Sequence, residues 1–292
     1  DFYKYIKDPH TEDLKTILRR FLQYSFYTIG MSDTELTFAE GILFRLRREI
    51  GDDADQFKIC IDIANGYTQR FAAFVSKVRA SFPGHVIVAG NVATPEMVQE
   101  LIINGADFVK IGIGPGSECT TRLKTGVGYP QISASIECAD AAHGLGAGII
   151  LDGGMRCPGD VAKAFCANAD MVMLGGMFAG TDESEGDVIT REYQTNEWDR
   201  SNNTIKTEKR QFKLFYGMSS EYAQEQHFGG KKGYRTSEGR VEEVPYKGPV
   251  KTVIDDLLGG LRSCGTYIGA SNIKSFGKCA TLVKVPRQHD RF

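Results

Sequence analysis

Pro95 to Gly112 reads PEMVQELIINGADFVKIG, and Pro158 to Gly175 reads PGDVAKAFCANADMVMLG. The two stretches align without a gap, and the strands before them match as well, with Gly90 facing Gly153. Each copy opens a helix at proline, whose missing N–H and fixed φ suit a first turn. Each then passes through Ala-Asp into an apolar run that stops at glycine. Strand–helix units repeated with short connections, and no run of consecutive hairpins, imply a parallel sheet. A repeat of this kind favours a (βα)8 barrel over an open Rossmann sheet. The absence of a G-x-G-x-x-G after the first strand points the same way.

Working outward, strands are expected at 24–30, 59–64, 86–90, 108–112, 149–152 and 171–175, six in all. Helices are expected over Leu36–Glu49, Gln69–Ala80, from Thr94-Pro95, over Val250–Leu261 and over Asn272–Lys278. Six is two short of eight, so two opening βα units, on the order of 60 residues, are expected before Asp1. The fold class is therefore α/β, a (βα)8 TIM barrel. Residues 1–292 are read as one catalytic domain carrying a mobile flap at 179–239. Within the flap, Asp182 to Gln211 is polar and charged and reads as neither helical nor strand-periodic. Long insertions of that kind are usually lids or disordered segments.

Composition bounds the function. The 292 residues are 41% hydrophobic and 25% charged, enough for a large core. Net charge is −2, with a pI near 6.3, so no nucleic-acid partner is expected. No apolar run approaches a membrane span, so no membrane partner is expected either. The seven cysteines include no Cys-x-x-Cys pair. They read as reduced thiols, and the expected location is cytoplasmic. The five histidines lack metal-ligand spacing and read as structural.

Chemistry concentrates at Gly112-Ile113-Gly114-Pro115-Gly116-Ser117-Glu118-Cys119-Thr120-Thr121-Arg122. The apolar run Phe108–Ile111 leads into three alternate glycines, which put bare backbone where a ligand or ion can come close. Most free cysteines are buried and structural. A thiol at a strand's C-terminal end, with hydroxyls and an arginine beside it, is better read as a nucleophile. Two further strand ends carry Asp152-Gly153-Gly154 and Gly175-Gly176. With two strands ahead of them, they fall at the barrel positions that often hold phosphate on backbone N–H groups. Asp152 could take a ribose diol. A lone Gly-Gly is usually just a tight turn; two at adjacent strand ends are better evidence of a site.

These residues resemble the IMP dehydrogenase/GMP reductase family, from about Lys58 to Val285 apart from the flap insertion. The cysteine loop, Asp152-Gly153-Gly154, Gly175-Gly176 and Tyr216-Gly217-Met218-Ser219 carry the resemblance. Ile61–Tyr67, Leu214–Glu221, Tyr234–Gly239 and Val244–Gly248 are similar to the reductase branch. The dehydrogenase branch, which runs IMP to XMP with NAD, is the alternative. It carries an Arg-Tyr pair on its flap that is not found here, and usually a regulatory domain pair for which this chain has no room.

The resemblance implies that GMP and NADPH give IMP, ammonia and NADP+ through a thioimidate on Cys119. Thr121 and Glu238 are implied as the proton relay. Ser117, Gly153, Gly154, Gly175 and Gly176 are implied as phosphate ligands and Asp152 as the ribose ligand. Gly217, Met218, Ser219, Arg235 and Gly239 would complete the purine site. NADPH would touch Asp62, Ile63, Ala64, Ile113, Gly114, Met218, Tyr234, Arg235, Ser263, Cys264, Gly265 and Thr266. Carbonyls of Gly114, Gly116 and Cys119, with Arg122 near, resemble the family's monovalent-cation site, expected to hold K+; oxygen ligands suit such a hard cation. The family also implies a homotetramer.

Overall fold

In the computed structural model the chain divides into two compact units. One runs to Ile113 and adds Ala134–Ile150; the other comprises Gly114–Ser133 and the chain from Leu151. The structure describes residues 13–199, 201, 203–217, 220–228 and 238–285, leaving out the side chains of 199, 224 and 226–228.

The first unit opens with helix α1 (Leu14–Tyr24), which buries Leu18 and Leu22. This helix runs through Tyr24, whose side chain is exposed, so the strand expected at 24–30 shrinks to β1 (Tyr27–Ile29). Helix α2 (Asp33–Ile50) starts earlier than Leu36 because Ser32 and Glu35 form a reciprocal cap. The Glu35 N–H donates to Ser32 Oγ at 3.2 Å, and the Ser32 hydroxyl donates to the Glu35 carboxylate at 2.6 Å. β2 (Ile59–Asp62), α3 (Gln69–Ser81), β3 (Ile87–Val92), α4 (Pro95–Ile103) and β4 (Phe108–Ile111) follow as read from the sequence.

β1 to β4 pair parallel in chain order, Tyr27 opposite Ile59, Ile59 opposite Ile87, and Val88 opposite Phe108. Ile59, Ile61, Ile87, Val109 and Ile111 are wholly buried. Strands covered on both faces read as unbroken apolar runs, which is how the sequence shows them. At Gly90 a Cβ would stand 2.6 Å from the Cβ of Lys110, its partner on β4, so no side chain fits there.

α5 (Thr121–Thr125) and α6 (Gln131–Gly144) come next. The face of α6 is mostly Ala, Ser and Cys, which gives little amphipathic contrast to read. β5 (Gly148–Asp152) begins in the first unit and ends in the second; α7 (Pro158–Cys166) and β6 (Met171–Met173) continue the second. One sheet carries six strands in the order β1 to β6, matching the six counted in the sequence.

The second unit departs from expectation between Asp182 and Gln211. In place of a patternless segment, β7 (Ile189–Asp199) and β8 (Thr204–Tyr216) form a long antiparallel hairpin. After α8 (Glu221–Phe228), β9 (Val241–Pro245) joins β8, with Phe212 opposite Pro245. The strands escaped notice because little of the arm is buried. Polar cross-strand pairs such as Arg191–Glu243, Lys206–Glu197 and Thr207–Glu192 replace the apolar alternation. α9 (Val250–Ile268) packs on α7, where a Cβ on Gly260 would lie 2.5 Å from Pro158 Cβ. It runs past Leu261 and ends at Gly269 with φ 70°. The helix expected over Asn272–Lys278 is a 3-10 turn, Ile273–Ser275, followed by α10 (Phe276–Cys279). Among the described residues no helix is long and apolar enough to cross a membrane.

Between Asp187 and Arg210 no described residue is buried. Joining Tyr193 to its partner Glu208 through an Asn-Gly turn should therefore shift stability by less than about 0.5 kcal/mol in urea unfolding. A loss well above that would mean that the arm buttresses the rest of the unit.

Candidate active site

The loop after β4 is held by a short ladder to the segment after α8. The Thr120 N–H donates to Glu238 O at 2.8 Å, and the Arg240 N–H donates to Glu118 O at 2.9 Å. Cys119 thereby faces Gly239 across an antiparallel bridge. Gly239 has no room for a side chain, since a Cβ would lie 2.6 Å from Ser220 N. The Gly217 N–H extends the ladder to Arg240 O at 3.0 Å.

This pairing brings the three expected catalytic side chains into one line. The Cys119 thiol donates to Thr121 Oγ1 at 3.2 Å, and the Thr121 hydroxyl donates to Glu238 Oε2 at 2.5 Å. Thr121 is the first residue of α5, a single turn that ends at Gly126 with φ 73°. Cys119 is half-buried. Elsewhere, burial pushes the Cys138 thiol up to about 12. Burial, with Cys264 alongside, likewise raises Cys166 to about 11.

The glycine turns gather around Ser117. Its hydroxyl lies 2.9 Å from where a Cβ on Gly176 would stand, and the Phe215 ring passes 3.8 Å from the same position. Gly153 and Gly154, both at φ 82°, lie against Pro115, where an added Cβ would come within 3.2 Å. The Gly153 N–H goes to Met173 O, and Gln131 Nε2 donates to Asp152 O at 2.9 Å. Phe178 and Ala179 both donate to Gly175 O, whereas among the described residues the N–H groups of Gly176 and Met177 have no acceptor.

Sequence reading missed three residues. Glu118 is 8% exposed, and its Oε2 has no hydrogen-bond partner among the described residues. Burial raises its pKa and Glu242 adds to the rise; a Ser117 hydrogen bond and Arg240 oppose it. The available signal was a carboxylate in a loop otherwise made of small residues. Lys110 lies on β4 in the first unit with its side chain 2% exposed, and its Nζ donates to Asp62 Oδ1 at 2.8 Å. A lysine inside an apolar strand was the signal there. Lys247, whose pKa burial lowers, donates to Met177 O at 3.0 Å.

Asp62 and Ala64 are exposed at the end of β2, and Ile63 is half-buried. The Asp62 carboxylate, charge-balanced by Lys110, keeps lone pairs for hydroxyl donors, which suits a ribose. Ile113 is half-buried at the end of the first unit. Ser263, Cys264, Gly265 and Thr266 lie on α9, Gly265 buried against Phe276; none of their hydrogen bonds among the described residues reaches Cys119, Thr121 or Glu238. Met218, Ser219, Tyr234 and Arg235 lie outside the described residues.

Around the loop carbonyls, the Cys119 N–H donates to Gly116 O at 3.2 Å, and a Cβ on Gly114 would meet Arg122 Cγ at 2.8 Å. Arg122 Nη2 donates to Tyr129 O at 2.6 Å. Neutral carbonyl oxygens at Gly114, Gly116 and Cys119 are the donor chemistry of a hard monovalent ion. Among the described residues no group of three or more His, Cys, Asp or Glu could hold a metal ion.

Fold and site together define an α/β protein with a thiol–hydroxyl–carboxyl chain beside glycine turns. The sequence profile of the IMP dehydrogenase / GMP reductase domain matches residues 43–289. GMP reductase 1 of Mus musculus is 57% identical over 232 residues, 80% of this chain and 63% of that protein. GMP reductase of Tolumonas auensis is 52% identical over 269 residues, 92% of this chain and 71% of that protein. A crystal structure of a cysteine-to-alanine variant of GMP reductase from Trypanosoma brucei, in complex with guanosine 5'-monophosphate, superposes with a TM-score of 0.74. It is 33% identical, and the match covers 89% of this chain and 50% of that one. The chain belongs to the IMP dehydrogenase/GMP reductase family. It spans 63% of the length of the mouse relative.

Glu118 gives a signed test. Its folded pKa is raised, so the ionised form opposes folding above the ordinary carboxylate range, and protonation relieves this as pH falls. Glu118→Gln should stabilise the protein at neutral pH by about 1–2 kcal/mol in denaturant unfolding, with the gain shrinking toward pH ~4. A gain that does not depend on pH would place the cause in packing instead.

Proposed function

We propose that this protein catalyses the NADPH-dependent reductive deamination of GMP to IMP and ammonia. The observation that carries the reading is the hydrogen-bonded chain from Cys119 through Thr121 to Glu238. The relatives named GMP reductase and the GMP-bound neighbour favour it over the dehydrogenase alternative.

An amine leaves carbon only when protonated, so the reaction needs a nucleophile and an acid together. Cys119 Sγ adds to C2 of the guanine. The thiol proton moves to the Thr121 oxygen as the Thr121 proton moves to Glu238. Glu238 is then the acid that protonates the departing amine. The C2–N bond breaks, the C2–S bond remains as a thioimidate, and ammonia carries away the proton that the thiol gave up. Glu238 thus returns to the carboxylate in which it started.

When bound, NADPH supplies the hydride that replaces sulfur at C2. In this reading Asp62–Ala64, Ile113, Gly114, Tyr234, Arg235 and Ser263–Thr266 hold it. Ser117, Gly153, Gly154, Gly175 and Gly176 hold the phosphate, and Asp152 the ribose. Gly217, Met218, Ser219, Arg235 and Gly239 enclose the purine. K+ on the carbonyls of Gly114, Gly116 and Cys119 would stiffen the cysteine loop. The parallel sheet is an arc of a (βα)8 barrel, and the flap 179–239 closes over the nucleotide. Assembly as a homotetramer belongs to the same reading, supported by the family resemblance, and a cytoplasmic location is supported by the cysteines read as reduced thiols.

The test is ammonia release that requires both GMP and NADPH. Cofactor reduction from IMP and NAD, with XMP as product, would instead establish the dehydrogenase. Cys119→Ala should bind GMP while turnover falls by about 10³-fold or more; substantial residual activity would remove the thioimidate. Glu238→Gln should lose ammonia release yet still give a burst of NADPH from IMP and NADP+, at most about one per site. Equal loss in both directions would make Glu238 an orienting group, not a relay.

A further inference from the structure

We propose that Lys247 is a positioning residue for the phosphate end of the site, fixing the Gly176–Met177 turn with its backbone N–H groups toward the anion. This rests on reading Gly175–Gly176 as part of the nucleotide site. Lys247 Nζ lies 3.0 Å from Met177 O and 3.4 Å from Gly176 O. A peptide unit is planar and trans, so its C=O and N–H point in opposite directions. An ammonium holding the Gly176 carbonyl on one side turns the Met177 N–H to the other. The N–H groups of Gly175, Gly176 and Met177 lack an acceptor among the described residues, and that of Met177 is the one set by the Gly176 carbonyl. The Ser117 hydroxyl meets the same turn at the Cβ position of Gly176, 2.9 Å away.

Lys247 is itself held in place. Its N–H donates to Gly180 O at 2.8 Å, and the Tyr246 hydroxyl donates to Asp182 Oδ1 at 2.5 Å. Gly180, at φ 85°, lets Pro245 in so closely that a Cβ would stand 2.3 Å from Pro245 O. The ammonium therefore arrives on a segment locked to the turn it holds. Lys213 on β8, a buried residue, donates to Thr181 O at 2.9 Å and Ser184 O at 2.8 Å. It grips the same stretch but does not reach residues 176 and 177, which makes it a control for stability alone.

The experiment measures affinities for GMP and for guanosine, which lacks the phosphate, by titration calorimetry, with a thermal melt of each protein. Lys247→Met should lose about tenfold to a hundredfold in GMP affinity, with guanosine binding unchanged. Lys247→Arg keeps a cation and donors for the same carbonyls and should retain most of the preference for GMP. Lys213→Met should lower the melting temperature and leave the GMP-to-guanosine ratio as in wild type. A Lys247→Met protein with the wild-type ratio, or with equal loss for both ligands, overturns the proposal. Should that variant not fold, Lys247→Gln is read in the same way. Wild-type protein that binds GMP no better than guanosine would instead overturn the phosphate reading, and this inference with it.

Discussion

The candidate site depends on two backbone hydrogen bonds, Thr120 N–H to Glu238 O and Arg240 N–H to Glu118 O. They bring together side chains 117 positions apart in the chain. Without this ladder Cys119 and Thr121 would still be neighbours, but no carboxylate would stand behind the hydroxyl. The ladder also explains the glycines that face it. Gly217 and Gly239 approach so closely that a Cβ on Gly217 would lie 3.1 Å from the Gly239 Cα. Side chains at either position would push the strands apart and pull Glu238 away from Thr121. The chemistry therefore rests on main-chain pairing, with side chains held at its margin.

That pairing has an electrostatic neighbour. Arg240, whose N–H forms the rung to Glu118 O, and Glu242 both act on Glu118, a carboxyl whose Oε2 is buried without a partner among the described residues. Burial favours its neutral form, Glu242 acts in the same direction, and Arg240 opposes. A buried group left short of partners lowers stability and is commonest where a site needs polarity. The stabilising elements close by are of the opposite kind, since Lys213 and Lys247 satisfy backbone carbonyls.

Legibility in the sequence followed burial. β2 to β4 could be read because strands covered on both faces are continuous apolar runs, and the gap-free repeat located β4 and β6. The Cys119 loop could be read because glycines beside a thiol have few structural reasons to occur together. The family motifs supplied Glu238, whose link to Thr121 no local pattern reveals. The hairpin could not be read, because a strand pair that buries nothing between Asp187 and Arg210 has no apolar alternation to show. β1 starts later than the aromatic run Tyr24–Tyr27 implies, because composition fits that run to a strand while Tyr24, exposed, is the last residue of α1. Lys110 and Lys247 are polar groups whose partners lie far off in sequence, and only the fold shows what they satisfy.

In the proposed reading, the internal repeat lets one backbone plan carry two tasks. Both copies run from a proline-started helix through Ala-Asp into a short strand that stops at glycine. In the first, the strand position before the final apolar residue is Lys110, buried and paired with Asp62. In the second the same position is Met173, 38% exposed and with no charge to balance. Beyond the final glycine the first copy opens into the long loop that carries Ser117 and Cys119. The second turns at once through Gly175 and Gly176 under Phe215. The strand supplies only a rigid exit point, and the residues after it decide what is presented there. The proposed nucleophile needs a long loop, because the carboxylate behind Thr121 comes from another part of the chain. An anion needs only a tight turn with its N–H groups uncovered, provided that something holds the carbonyls behind it.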